Sequence, residues 1–342
     1  MRCRTFFCKM LANVGKIVYL CTTKRYVIMR ARILLLVFLA CSICSSVCAG
    51  DVSRSAAATP DTAAQAAVNM AVYDRIAAAL GPVAPSLSMP DLMVQVALQL
   101  LGTPYVGATL ESEPEQLHVF LDKTDCILFV ELSACMALTL KGKRIVQAGD
   151  GCHFAVRDTP SVEEAAPCYQ LLCDNIRNMR YRLGVVDGYA SRIHYTSEWL
   201  LQNGTNGILR EYSRRLGQEF DQPFYYMSMH PARYTQLSHD VCELGRIRMI
   251  EEHLSAQKPF FFVPQSTLRQ SSVMAQIRSG DIVAFLSTWA GLDLAHVAIA
   301  YEYDGAMHFI HASYAARKVI IEPQTLADYA ANGIRVARLS DF

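Results

Sequence analysis

The sequence predicts an α+β fold, and three observations support this prediction. Segments with the apolar spacing of helices fill the chain up to about residue 258, short β-rich runs follow from Pro259 onward, and strands and helices do not alternate. Parallel βαβ units need that alternation, so we expect a mostly antiparallel sheet with helices packed on it. The chain of 342 residues, 52% hydrophobic and 18% charged, is long enough to bury a substantial core.

The first residues are predicted to be a leader for export. The first 50 residues contain eight Lys/Arg and no acid. Met29–Gly50 has a basic start, an apolar run to about Cys44, and Val47 and Ala49 at the −3 and −1 positions of a cleavage site. We therefore expect residues 1–49 to be a signal peptide region, with Met29 as the true start and the periplasm as the destination.

The same segment excludes two other interpretations and leaves one open. Its apolar run is too short for a stable membrane span. The residues from Asp51 onward carry 24 basic and 31 acidic side chains, a net charge of −7, and this balance argues against a nucleic-acid partner. An outer-membrane lipoprotein attached through Cys41 remains an alternative, because "FLAC" loosely resembles a lipid-attachment site.

Beyond the leader, the sequence predicts one catalytic domain. Residues 50–88 are expected to form a flexible and then helical N-terminal extension, and residues 89–342 the domain itself, with an irregular surface insertion near 141–167. Ser88 is placed to cap one helix, and a second helix should run from Cys126 to about Leu140. Further helices are expected in these segments: "YQLLCDNIRNMRYR", the end of "DGYASRIHYTSEWLLQNG", and "HDVCELGRIRMIEEHLSAQK". Strands are expected in these: "FFFVP", "DIVAFLST", "HVAIAYEY", "MHFIHAS", "RKVIIEP" and "IRVARL".

Cys126 is the candidate nucleophile. It follows Thr124 and Asp125, either of which could cap the helix that begins there, and a helix N-terminus favours a thiolate. The alternative interpretation is a small buried residue. Cys135, on roughly the opposite helix face, is expected to be such a core residue.

The histidines of one predicted hairpin are the candidate partners of this cysteine. His296 begins one strand, and His308 and His311 lie on the next. Because side chains alternate along a strand, His308 and His311 point to opposite faces, so only one of them can join His296. Small residues follow His311 and leave room for a cleft, so we predict His311 as the residue that orients His296.

These motifs resemble those of the NlpC-type cell-wall cysteine peptidases. The resemblance lies in "TPYVG", in "TDC" opening an apolar helix, and in "GDIVAF", "HVAIAY" and "FIHAS". It implies a papain-like fold with Cys126 as nucleophile, His296 as base, His311 as third member and Tyr105 on the oxyanion side. It implies no metal and no cofactor.

Longer blocks are similar to the N-acetylmuramoyl-L-alanine amidase-like family. These blocks are "GTPYVGATLE", "EQLHVFLDKTDC", "DGYASRIHYTSEW", "YMSMHPARY" and "GDIVAFLSTWAGLDLAHVAIA". This similarity implies cleavage of the amide between N-acetylmuramic acid and L-alanine in peptidoglycan or muropeptides. The chain departs from the family pattern at Ile127 and Leu128, where hydroxyl residues are usual beside the nucleophile.

Four residues are predicted to contact the substrate. Arg192 could clamp a peptide carboxylate, and Trp199, or Tyr195 in its place, could stack on a sugar. His194 lies in the same loop-to-helix stretch, and Glu111 could hold an amine or sugar hydroxyls.

Other interpretations stay open at this stage. The nearest is a stem-peptide endopeptidase, acting on γ-D-glutamyl or diamino acid bonds with the same catalytic residues. A non-catalytic cell-wall binding module is the alternative from another class. Zinc is not expected, because strand alternation separates the hairpin histidines. The disulfide pairing of the remaining cysteines is undetermined, and five further histidines are expected to be structural: His118, His153, His230, His239 and His253.

Overall fold

The computed structural model describes residues 60–149, 151, 153–159 and 168–342. The predicted leader, its cleavage site, the lipoprotein cysteine Cys41 and also Cys152 lie outside the described residues. The described part is an α+β structure with antiparallel sheets, and this confirms the fold class that the sequence predicts. The finer prediction of a papain-like fold remains a prediction.

Helices occupy most of the chain before the main sheet. In the described part the α-helices are α1 (Pro60–Leu80), α2 (Met89–Gln99), α3 (Cys126–Leu140), α4 (Tyr169–Arg180), α5 (Thr196–Thr205), α6 (Ser213–Leu216), α7 (Tyr226–Met229), α8 (Thr235–His239), α9 (Val241–Ala256), α10 (Gln265–Leu268), α11 (Ser271–Met274) and α12 (Leu326–Tyr329). The predicted caps are present: the hydroxyl of Ser88 accepts a hydrogen bond from the backbone N–H of Asp91 at the start of α2.

The strands form one large sheet and two small ones. The strands of the described part are β1 (Lys143–Gln147), β2 (Phe154–Asp158), β3 (Leu209–Glu211), β4 (Gln218–Phe220), β5 (Phe260–Phe262), β6 (Asp281–Leu286), β7 (Leu294–Tyr303), β8 (Ala306–Ser313), β9 (Lys318–Ile321) and β10 (Ile334–Leu339). The main sheet has six strands in the order β3-β10-β6-β7-β8-β9, and all its pairs are antiparallel.

Two segments differ from the sequence prediction. Where an irregular surface insertion is expected, β1 and β2 form an antiparallel hairpin, because Ile145 and Phe154 point into the core. The run Phe260–Phe262 is a strand as predicted, but it pairs with β4 outside the main sheet.

Helix α3 lies at the centre of the core. It packs on β7 and β8 and also contacts α2 and α4, which explains why the helix is apolar on every side and buried from Leu128 to Leu140. Helix α1 joins the same core through Tyr73, Ile76 and Leu80. No helix among the described residues is long and apolar enough to cross a bilayer.

Candidate active site

Cys126 is the first residue of α3. The helix begins there because the Asp125 carboxylate accepts a hydrogen bond from the backbone N–H of Leu128, at 3.0 Å, and so caps the helix. Of the two capping residues that the sequence leaves open, Asp125 is the one that caps. The neighbouring Thr124 instead pairs with the segment at Tyr105, so its backbone fixes the approach to the cysteine.

The Cys126 sulfur lies against the backbone of β7. The backbone N–H of Val297, the residue after His296, lies close enough to the sulfur to lower the pKa of the thiol. Burial, and secondly the negative charge of Asp125, raise the pKa of the Cys126 thiol to about 12, although hydrogen bonds from backbone N–H groups, including its own, lower it. The helix start therefore does not produce the resting thiolate that the sequence suggests, because the cost of burying a charge is larger than the effect of the helix dipole.

His296 and His311 form a hydrogen-bonded pair. Nε2 of His296 lies 2.7 Å from Nδ1 of His311. The register of β7 and β8 explains the contact. Ile299 is paired with Ile310, so Ala298 lies opposite His311. His296 lies two residues before Ala298 on β7 and therefore on the same face of the sheet as His311. Burial lowers the pKa of His296 to about 3, with the nearby His311 adding to the effect, and burial lowers the pKa of His311 to about 4. Both rings are therefore neutral at pH 7.

Glu322 extends this pair, and the sequence analysis missed it. Its carboxylate oxygen lies 3.2 Å from Nε2 of His311, at the far side of the ring from His296. Strand β9 brings it there, since Ile320 is directly opposite His311 and Glu322 lies two residues further on the same face. The side chain of Glu322 is largely buried, so its charge acts on the imidazole with little screening by water.

The position of Glu322 favours one tautomer of each histidine. Nε2 of His311 has no partner in hydrogen-bond geometry, but a carboxylate oxygen 3.2 Å away favours the tautomer that carries the proton on Nε2. Nδ1 of His311 is then the acceptor, and Nε2 of His296 is the donor across the 2.7 Å contact. This leaves Nδ1 of His296 with its lone pair unprotonated. His296 is thereby set up to accept a proton.

Aromatic rings enclose the histidine pair on the side of β6 and α12. The Phe285 ring stacks on His296 with 5.7 Å between centroids, because Phe285 and His296 are partners in the β6–β7 register. The Tyr329 ring lies 6.2 Å from His311 and 6.5 Å from His296. Burial, and then the charges of Glu322 and Cys126, raise the pKa of Tyr329. No local pattern in the sequence indicates Tyr329.

Tyr105 reaches the same region from the segment before α3. It forms a bridge with Thr124, and its ring packs edge-on against Tyr314 at 5.6 Å. Burial, followed by the charges of Cys126 and Asp125, raises the pKa of Tyr105 to about 12. The hydroxyl is therefore protonated at neutral pH and can donate a hydrogen bond near the sulfur.

Arg192 is already occupied by carboxylates of this chain. Its guanidinium lies 3.0 Å from a carboxylate oxygen of Glu111 and 3.1 Å from one of Glu115, and the arginine is buried. Burial lowers the pKa of Arg192, but Glu111 and Glu115 outweigh this effect and the pKa is raised overall. Burial raises the pKa of Asp125 overall, and the charges of Arg180 and, to a smaller extent, Arg192 partly offset this effect. Arg192 was expected to clamp a peptide carboxylate, but in the structure its guanidinium binds carboxylates of this chain. Of these residues, only Glu111 is substantially exposed to solvent.

The other residues of this stretch that were predicted to contact the substrate instead make contacts within the protein. The indole of Trp199 belongs to the main core and is 3% exposed, so it cannot stack on a sugar. Tyr195 is equally buried, and its hydroxyl donates to Glu251. His194 packs on the Tyr189 ring at 4.3 Å, and its Nε2 donates to the carbonyl of the same residue at 2.9 Å. Burial, with the charge of Arg192, keeps the pKa of His194 well below its usual value.

The remaining histidines lie apart from the pair. His308 bonds the backbone carbonyls of Glu322 and Gln324, so it holds the end of β9. No group of three or more His, Cys, Asp or Glu that could hold a metal ion occurs within the part of the chain that the structure describes. Cys135 is a buried core residue and a free thiol.

This arrangement is what a thiol-dependent hydrolase requires: a cysteine at a helix start, beside a strand that carries an oriented histidine. The chain belongs to the N-acetylmuramoyl-L-alanine amidase-like (AmiA-like) family, whose model matches residues 95–334. This confirms the family that the sequence blocks indicate. Membership of the broader NlpC-type group stays a prediction.

Solved structures support the family assignment. The chain is similar to an N-acetylmuramoyl-L-alanine amidase from Bacteroides uniformis ATCC 8492, with 29% identity and a TM-score of 0.63, over 74% of this chain and 99% of that one. It shares its fold with protein LPG0564 from Legionella pneumophila str. Philadelphia 1, at 18% identity and a TM-score of 0.53, over 81% of this chain and 97% of that one. No curated protein matches the sequence.

Proposed function

We propose that this protein is a cell-wall amidase that cleaves the bond between N-acetylmuramic acid and L-alanine, with Cys126 as the nucleophile. The family and the named Bacteroides relative support amidase activity on peptidoglycan. The single observation that carries the mechanism is the series of close contacts from His296 through His311 to Glu322, at 2.7 and 3.2 Å, on the strand whose next residue, Val297, lies at the Cys126 sulfur.

The first step transfers a proton from the thiol to His296. In the resting site the thiol and both imidazoles are neutral, because burial raises the pKa of Cys126 and lowers those of His296 and His311. Nδ1 of His296 takes the proton as the sulfur attacks the lactyl carbonyl carbon and the C–S bond forms. The positive charge on His296 is stabilised through His311 by the carboxylate of Glu322.

The tetrahedral intermediate then collapses to an acyl-enzyme. Its oxyanion is stabilised by the backbone N–H of Cys126 and the hydroxyl of Tyr105, and each such donor is typically worth about 2.7–4 kcal/mol. The protonated His296 returns its proton to the nitrogen of L-alanine as the C–N bond breaks. Water, deprotonated by the same imidazole, hydrolyses the thioester and releases the muramic carboxylic acid.

Mass spectrometry of digested muropeptides of defined composition tests this proposal. We expect the wild-type protein to release free stem peptide that begins with L-alanine, together with a sugar that has lost it. Cys126→Ala should be inactive, and Cys168→Ala, at an exposed free cysteine, is the matched control. A sugar product that still bears L-alanine would reassign the protein to the stem-peptide endopeptidases.

We also propose export to the periplasm, because of the predicted signal peptide. Fractionation of cells that express the full chain, with N-terminal sequencing of the mature protein, tests this. Processing near Ala49 supports the proposal, and an unprocessed chain in the cytoplasm contradicts it.

A further inference from the structure

Trp289 is a large exposed aromatic residue that the proposed chemistry does not use. The chain has only two tryptophans, and while Trp199 is in the core, Trp289 is 54% exposed. It lies in the connection between β6 and β7, at the sheet end where His296 pairs with Phe285. An exposed indole at this position is available to a ligand, because tryptophan combines a large apolar face with an N–H donor and is enriched at binding surfaces.

The indole is held in place from two sides. The Tyr226 ring packs edge-on against it at 5.9 Å, and the Arg233 guanidinium lies 5.4 Å from its ring centroid. Arg233 also donates a hydrogen bond to the Tyr226 hydroxyl, at 3.1 Å. We call Tyr226, Arg233 and Trp289 the aromatic platform. Its parts brace one another, so little side-chain entropy remains to be lost when a ligand binds.

The loop that carries Trp289 is anchored to the helical segment beside it. The carbonyl of Gly291 accepts hydrogen bonds from the backbone N–H groups of Tyr225 and Tyr226, both at 3.2 Å. Gly291 has φ +78°, and a Cβ there would lie 2.5 Å from the Tyr225 ring, so glycine is required for this close approach. Asp293, buried at the other end of the loop, accepts a hydrogen bond from the backbone N–H of Ser197.

The helix next to the platform contacts the segment that precedes α3. Helix α8 follows Arg233 directly, and its Gln236 and His239 contact Ser112 and Glu113, at 3.3 and 3.1 Å. Ser112 and Glu113 lie between Glu111 and Glu115, the two carboxylates that bind Arg192. The platform thus lies on the loop that enters the histidine strand and beside the segment that carries these carboxylates.

We propose that the aromatic platform binds a sugar ring of the glycan part of the substrate. This rests on the proposed amidase function and names the binding site for one component of its substrate. A pyranose ring presents a face of C–H groups that packs flat on an indole, whereas a stem peptide of small and acidic residues offers no such face. The free N–H groups of Arg233 supply donors for hydroxyl and acetamido oxygens at the ring edge.

Two experiments test the platform. In the first, the KM and kcat of Trp289→Ala and Trp289→Phe are measured with the disaccharide and the monosaccharide muropeptide. We expect a KM increase of about tenfold for Trp289→Ala, as for truncation of an interfacial aromatic anchor, a smaller one for Trp289→Phe, and a nearly unchanged kcat. Tyr303→Ala is the matched control, because Tyr303 is 53% exposed at the opposite end of β7. It should leave both constants unchanged.

The second experiment does not depend on turnover. The sugar product lacking the peptide is titrated into Cys126→Ala, and tryptophan fluorescence reports the exposed indole directly. A saturable blue shift that is lost in Trp289→Phe supports the platform. If the sugar product binds in this way but the wild-type protein cleaves no muropeptide, the amidase function is rejected and the sugar-binding site is retained.

Two outcomes overturn the platform. Active enzyme whose KM in Trp289→Ala stays within twofold of wild type on both substrates, without a fluorescence shift, excludes sugar binding there. Concentration-dependent self-association that Trp289→Ala abolishes, again without any response to sugar, would assign the surface to a second copy of this chain.

Discussion

Replacing Glu322 with glutamine tests whether the histidine pair depends on a carboxylate. The substitution keeps the shape of the side chain and removes its charge. A carboxylate oxygen of Glu322 lies 3.2 Å from Nε2 of His311 in a largely buried position. If this contact closes into a hydrogen bond as the imidazolium forms, it contributes about 1.5–3 kcal/mol with a charged partner and about 0.5–1.5 kcal/mol with a neutral one, so losing the charge alone should lower kcat about tenfold.

The glutamine amide can also reverse the tautomers, and this enlarges the effect. If its NH₂ group faces His311, Nε2 of His311 becomes the acceptor, and the proton on His296 moves to Nδ1. His296 can then no longer accept the thiol proton. An equivalent change beside the histidine of serine proteases lowers kcat by about 10⁴, which sets the upper bound here. We therefore expect Glu322→Gln to lower kcat by between about 10-fold and 10⁴-fold, with KM nearly unchanged.

Steady-state kinetics on a defined muropeptide measures this, and ¹⁵N NMR of the imidazoles of the free protein reports which nitrogen carries each proton. A role that is only structural would not move those tautomers. Glu302→Gln is the control for charge, because Glu302 is exposed at the far end of β7. A kcat for Glu322→Gln within threefold of wild type, with unchanged ¹⁵N shifts, would refute the reasoning.

Four other changes have defined outcomes. Cys126→Ala should abolish turnover and leave the melting temperature almost unchanged; a large loss of stability by calorimetry would instead indicate a packing role. Because burial lowers the pKa values of His296 and His311 to about 3 and 4, both rings stay neutral as the pH falls. The acid limb of kcat against pH should therefore lie below pH 5 or so, and a limb near the ordinary histidine value of about 6.5 contradicts this. Tyr105→Phe should lower kcat by about 10²- to 10³-fold if the hydroxyl stabilises the oxyanion, and kinetics with an unchanged kcat would exclude that role. Trp199→Ala should lower the free energy of unfolding in urea by about 3–5 kcal/mol. A raised KM with unchanged stability would instead indicate that Trp199 contacts the substrate.

Local signals in the sequence were sufficient for several parts of the site. The Thr-Asp-Cys triplet before an apolar run predicts the helix that begins at Cys126, because capping depends on residues three positions apart. Strand alternation predicts that His308 and His311 diverge, and the structure has His311 against His296 and His308 against backbone carbonyls of the segment after β9. These features depend only on neighbours in the chain.

Other parts depended on distant segments. Glu322 shows no local motif, and it meets His311 only because β9 pairs with β8 in one register. Arg192 resembled a free clamp until the fold brought Glu111 and Glu115 to it from about 80 positions earlier. Trp199 and Trp289 differ in exposure only through the surfaces that pack on them.

The sequence by itself therefore determined the α+β class, the helix start at Cys126 and the identity of the histidine pair, since periodicity and capping are properties of short segments. The tertiary structure alone decided the protonation state of the site and which polar residues remain accessible. Burial of the thiol, and the carboxylate at the end of the histidine pair, are set by packing between elements far apart in the chain, and such packing has no local signature.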